Sequence, residues 1–95
     1  MELQIQNNEL IIKGNVKSIQ DAEAIKEALE KIAKNYTSVK VILQDSISLT
    51  SSVIGYLVKL AQKDGKNITL KIANEELYEL LQDLGLHTTF KIQRL

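Results

Sequence analysis

Three times along this chain a short, largely β-branched apolar run gives way, across a few polar residues, to a stretch whose apolar positions recur every three or four residues. In "ELIIKG" the run is Leu10 to Ile12, followed by Ile19, Ala22, Ile25, Leu29, Ile32 and Tyr36. "VKVIL", residues 39 to 43, precedes Ile54, Leu57, Val58 and Ala61, and "NITLKIA" precedes Leu77, Leu80, Leu81 and Leu84. A period near 2 sends side chains to alternate faces of a strand, and a period of 3.6 gathers them along one side of a helix. Strand-helix-strand units pair their strands in parallel through right-handed crossovers. The sequence therefore reads as α/β: a mixed, mostly parallel sheet packed against helices, in the order β-β-α-β-α-β-α. Phe90 and Ile92 alternate in the tail and can add a short final strand. Ninety-five residues make one domain, residues 1–95.

Local signals mark the joints. Leu3 and Ile5 alternate with polar neighbours ahead of Asn7-Asn8, a pair suited to the positive φ of a tight turn, so the chain opens on an antiparallel hairpin that ends at Gly14. Ser18 is a natural N-cap with Asp21 in the capping-box position. "VKVIL" is nearly continuous in its apolar character, as a central strand buried on both faces would be. Tyr56 and Leu60 widen the stripe of the second helix, which closes at Asp64-Gly65, while Asn74 caps the third and Gly85 stops it.

Composition narrows the function. Twelve basic and twelve acidic residues cancel, and with no tryptophan and few aromatics there is neither a field nor a stacking platform for nucleic acid. One histidine and no cysteine argue against a transition-metal site and against disulfides, and no cofactor is implied. No Gly-rich phosphate loop, GxSxG or HExxH is present, so the expectation is a non-enzyme. The polar, acidic N-terminal "MELQIQNNEL" and the absence of an apolar run near the ~20 residues that cross a bilayer lead us to expect a soluble, cytoplasmic protein. His87, in the exit from the last helix, receives no role. The outer face of the first helix, with candidate pairs Glu27-Lys31 and Glu30-Lys34, reads as solvated, and Tyr56 and Tyr78 as boundary packing.

The chemistry concentrates in "DSISLTSSVIGYL", residues 45 to 57. Thr50 or Ser51 stands where the second helix begins, and a hydroxyl there caps a free N–H for about 1 kcal/mol over alanine. The same position suits phosphorylation. A phosphate would face the positive end of the helix dipole and change the surface by nearly two charges without changing the fold.

These joints resemble those of a STAS domain, the fold of anti-sigma factor antagonists. "LIIKGNVKSIQDAEAIKEAL" resembles the family's strand, G-E-L-D turn and first helix, with Gly14 and Val16 on matching positions. "VKVILQDSISLTSSVIGYL" resembles its strand, loop and helix ending in D-S-S-G-L-G, and "NEELYELLQDLGLHTTFKI" its closing helix and apolar tail. The resemblance places Ser51 on the phosphoacceptor serine, with Ser52 as the alternative, and Gly55 on the last glycine. It implies a module that binds a serine kinase acting as an anti-sigma factor through Lys17, Thr50, Ser51, Ser52, Val53 and Tyr56, and that phosphorylation releases. Thr50 and Lys17 stand where the family commonly has acids, Val53 replaces a glycine, and the second helix is about three residues shorter, nearly one turn of 3.6. "AQKDGKNITLKIANEELYELL" is similar to the cytoplasmic accessory subunit of Mla-type lipid ABC transporters, which would make an ABC ATPase the partner. A third reading is an unphosphorylated small-ligand or nucleotide binder using the same helix terminus.

Overall fold

Asn7 adopts φ 55°, the left-handed conformation that asparagine tolerates, and the opening hairpin turns on it. In the computed structural model, which describes residues 1–95, β1 (Glu2–Gln6) returns as β2 (Glu9–Lys13), with Leu3 opposite Ile12 and Ile5 opposite Leu10. Then follow α1 (Ile19–Asn35), β3 (Ser38–Leu43), α2 (Ser51–Gln62), β4 (Asn67–Ile72), α3 (Glu75–Asp83), a single 3-10 turn (Leu86–Thr88) and β5 (Lys91–Arg94). The five strands lie in sequence order, antiparallel between β1 and β2 and parallel from β2 to β5. The anticipated α/β order therefore holds, and the tail forms the last strand.

Each crossover from β2 onward steps one strand in the same direction. Right-handed connections then put every helix on the same face of the sheet. The burial pattern agrees: Leu10, Ile12, Val39, Val41, Leu43, Ile68, Leu70 and Ile72 are buried under the helices, while the alternate residues Ile11, Lys40, Ile42, Thr69 and Lys71 are only half-buried. This corrects the expectation that "VKVIL" is buried on both faces. Ile42 lies between Ile11 and Lys71 on a face that no helix covers.

The helices are capped as expected, with differences in which residues they bury. Ser18 Oγ accepts from the Asp21 N–H at 3.1 Å, and the Asp21 carboxylate accepts from the Lys17 N–H at 2.9 Å, one residue earlier than a standard capping box. The buried stripe of α1 is Ala22, Ile25, Ala28, Leu29 and Ile32. Ile19 is 79% exposed because it lies in the first turn, level with the loops rather than the strands, and Tyr36 stands beyond the helix end. Lys66 closes that end, its Nζ donating to the carbonyls of Ala33 and Tyr36 at 2.7 and 3.1 Å. On α3, Leu77 and Leu81 are buried, whereas Leu80 and Leu84 are not. On the outer face of α1 the Glu30–Lys34 pair forms at 3.8 Å, and Lys26 pairs with Glu23.

Arg94 ties β5 to α3. Its guanidinium meets the Glu75 carboxylate through Nη2 at 2.7 Å and Nε at 2.9 Å and lies 4.2 Å from the centroid of the Tyr78 ring. The hydrogen bond from Arg94, ahead of its charge, holds the Glu75 carboxyl below its ordinary value.

Two outcomes test this architecture. Leu70→Ala should cost about 2–5 kcal/mol in urea denaturation, and Ile42→Ala clearly less, because only Leu70 is sealed beneath helices; equal costs would contradict a one-sided sheet. A depressed carboxyl contributes stability above its unfolded pKa and loses it as pH falls through the folded one. Arg94→Gln should therefore raise the Glu75 midpoint in an NMR titration and weaken the acid-side stability change, which stays small at so exposed a pair.

Candidate functional site

The carboxyl ends of β2 and β3 open into two neighbouring loops, and their polar residues hold each other. The Gly14 N–H donates to Asp45 Oδ1 at 2.6 Å, Ser46 Oγ donates to the Gly14 carbonyl at 2.6 Å, and the Ile47 N–H donates to Asn15 Oδ1 at 2.9 Å. Ser46 is completely buried, the one polar residue in the interior. Gly14 adopts φ 86°, which side chains rarely take, and a Cβ there would come within 3.3 Å of the Met1 backbone, so a substitution at this position is strained. Asp45, Ser46 and Asn15 are structural residues that the sequence reading did not single out. Their signal is polar side chains just beyond the ends of two strands, legible only once β2 is known to pair with β3.

This lacing presents the start of α2. Thr50 is the N-cap: its Oγ1 accepts from the Val53 N–H at 3.3 Å, and its carbonyl accepts from the Ile54 N–H at 3.1 Å. The choice between Thr50 and Ser51 as cap is thereby resolved. Ser51 is the first helical residue and Ser52 the second, and both are exposed. With Thr50 occupied in capping, neither serine hydroxyl is needed by the helix. Gly55, one turn beyond Ser51, has no atom within 4 Å of where a Cβ would sit, so the ground beside Ser51 is bare.

The expected site residues separate into three places. Lys17, Thr50 and Ser52 line one shallow hollow of about 300 Å³ with Val16, Ser18, Ile19, Ala22 and Glu23, between the starts of α1 and α2. Ser51 stands beside that hollow in the chain without lining it. Val53 is 1% exposed and belongs to the core, so its side chain offers nothing to a partner, a correction to its place in the expected contact set. Its bulk fills the interior under the helix start. Tyr56 lies further along α2 beside Glu30, Ala33 and Lys34 of α1, with Lys59 Nζ 5.5 Å from its ring centroid. Burial, with Glu30 and Asp64 nearby, holds its phenol above the ordinary value, so it stays neutral. The structure adds Ile47, 61% exposed, to the same end of the molecule as Ile19.

Chemically, this rim offers two free hydroxyls at the positive end of a helix, a lysine across the hollow, and exposed aliphatic residues at its border. It can accept an anion or a phosphoryl group and can meet another protein.

The helices lie on one face of a five-stranded sheet whose strands follow the sequence order, and α2 opens on Ser51. Solved structures share this fold. The crystal structure of a candidate anti-sigma factor antagonist from Thermotoga maritima, at 1.59 Å resolution, matches with a TM-score of 0.70 over 97% of this chain and 84% of its own, at 21% identity. An NMR structure of the same Thermotoga maritima protein matches with a TM-score of 0.69 over 97% and 78%, at 22% identity. At this identity the likeness is one of fold. No protein-family model matches the sequence, and no curated protein matches it.

The cap assignment predicts a stability contrast. Thr50→Ala should lower stability by about 1 kcal/mol, whereas Ser51→Ala should leave it nearly unchanged, read as paired thermal or urea unfolding curves. The reverse order would make Ser51 the cap and remove its availability.

Proposed function

We propose that this chain is an anti-sigma factor antagonist-like signalling module, binding a serine kinase that doubles as an anti-sigma factor and released from it by phosphorylation of Ser51. The supporting observation is the division of labour at the start of α2: Thr50 caps the helix, leaving Ser51 exposed, unbonded by its side chain and aligned with the helix dipole. Phosphate on Ser51 would accept from backbone N–H groups of the first turn, so the modified form is stabilised without rearrangement. Lys17, across the hollow, adds attraction. For a partner seated on this rim, the same dianion adds bulk and nearly two negative charges to an interface bordered by Ile19 and Ile47. The module itself performs no chemistry in this reading, and its kinase and ATP place it in the cytoplasm.

Intact-mass analysis after incubation with the cognate kinase and ATP tests the switch. Wild type and Ser52→Ala should gain one phosphate and Ser51→Ala none. In a binding assay Ser51→Glu should weaken the kinase complex at least about tenfold, roughly 1.4 kcal/mol. Incorporation into Ser51→Ala, or none into the folded wild type, would remove Ser51 as the acceptor.

A further inference from the structure

A second surface lies between α2 and α3. The strand order sets these helices side by side on the covered face of the sheet. The Tyr56 edge of α2 faces α1. Helical spacing therefore places Ile54, Val58 and Ala61, all half-buried, along the opposite edge, toward α3. On α3, the edge bearing Glu75 and Tyr78 holds Arg94 of β5. The other edge, toward α2, carries Leu80 and Leu84, which are 50% and 57% exposed. Whereas α1 packs against α2, α3 packs on β4, β5 and the 3-10 turn and stands off from α2. The result is an apolar groove between two parallel helices, about 10 Å long from Ile54 to Ala61 at 1.5 Å per residue.

Single exposed aliphatics are ordinary, but an exposed pair at i and i+4, Leu80 and Leu84, facing a half-buried apolar strip is not. The charge around the strip is one-signed. Besides Glu75, α3 carries Glu76, Glu79 and Asp83 and no lysine or arginine; Glu79 lies toward Arg94, whereas Glu76 and Asp83 flank Leu80 and have no ion-pair partner. The facing rim of α2, with Ser51, Gly55 and Gln62, is neutral; Lys59 is turned toward Tyr56 and Asp64. A chain of net zero charge therefore has an apolar groove with an acidic border. That border repels anionic lipid headgroups. A second copy is also a poor fit, because α1, the lysine-bearing helix, buries its own apolar stripe in the core.

We propose that the α2–α3 groove docks an amphipathic helix of a partner protein, with aliphatic residues at i, i+3, i+4 and i+7 in the groove and Lys or Arg opposite Glu76 and Asp83. This contact does not depend on modification of Ser51. It gives a partner a hold on the flank of α2 that a phosphate at the helix start leaves in place.

The test uses a synthetic helical peptide of about 15 residues, leucine at those spacings and lysine on both flanks, against a twin with glutamate flanks. Titrated into the full chain by NMR, the lysine peptide should shift the amides of Val58, Ala61, Leu80 and Leu84 and bind at least about tenfold more tightly than its twin. Leu80→Gln, at an exposed position, should weaken it about as much with the unfolding curve unchanged. Glu76→Lys with Asp83→Lys should invert the peptide preference, while Ser51→Glu should leave it intact. Equal binding of both peptides, shifts centred elsewhere, Leu80-dependent self-association in sedimentation, or preference for phosphatidylcholine vesicles would each overturn the proposal.

Discussion

Everything in this domain takes its position from the parallel pairing of β2, β3 and β4. The crossovers step in one direction, so their common handedness stacks all the helices on one face. A single apolar core results, with the leucine and isoleucine row Ile12, Leu43 and Ile72 running across the strands beneath them. It also follows that every helix begins at the carboxyl edge of the sheet. The positive ends of α1 and α2 and the two polar loops share one rim, and chemistry involving an anion has a natural place there.

The hydroxyl-rich segment before α2 shows how tertiary structure divides similar side chains among different tasks. Ser46 is sealed in the interior to hold Gly14, Thr50 satisfies the helix, and Ser51 and Ser52 have no structural duty. Burial and hydrogen-bond demand make this division, since the residue types alone are interchangeable. The lacing of Asp45, Ser46 and Asn15 fixes the loop in front of the serines, so the rim is presented on a rigid frame.

The rim and the α2–α3 groove differ in chemistry although they share a helix. One joins free hydroxyls and a lysine to exposed isoleucines; the other is aliphatic with an acidic border. Net charge conceals this, because the acids of α3 are offset by lysines elsewhere, including Lys40 and Lys71 on the uncovered sheet face. A protein that grips two places on one helix can lose one contact and keep the other.

The sequence by itself determined the elements. The alternation of period-2 and period-3.6 patterns, the asparagine turn, Ser18 and Asn74 as caps and the glycine stops were all legible, because local backbone preferences and one-sided burial leave their mark residue by residue. It also identified the segment that holds Thr50, Ser51 and Ser52. Tertiary structure decided what depends on who lies opposite whom. "VKVIL" carries the same pattern whether one or two faces are covered, so only the strand order exposed Ile42. Leu80 and Leu84 match the helical period as well as Leu77 and Leu81 do, and only the stand-off of α3 from α2 leaves them bare. Val53 became core and Ser46 became buried for the same reason: burial belongs to the neighbours a residue meets through space, and those are set by the sheet rather than by the chain.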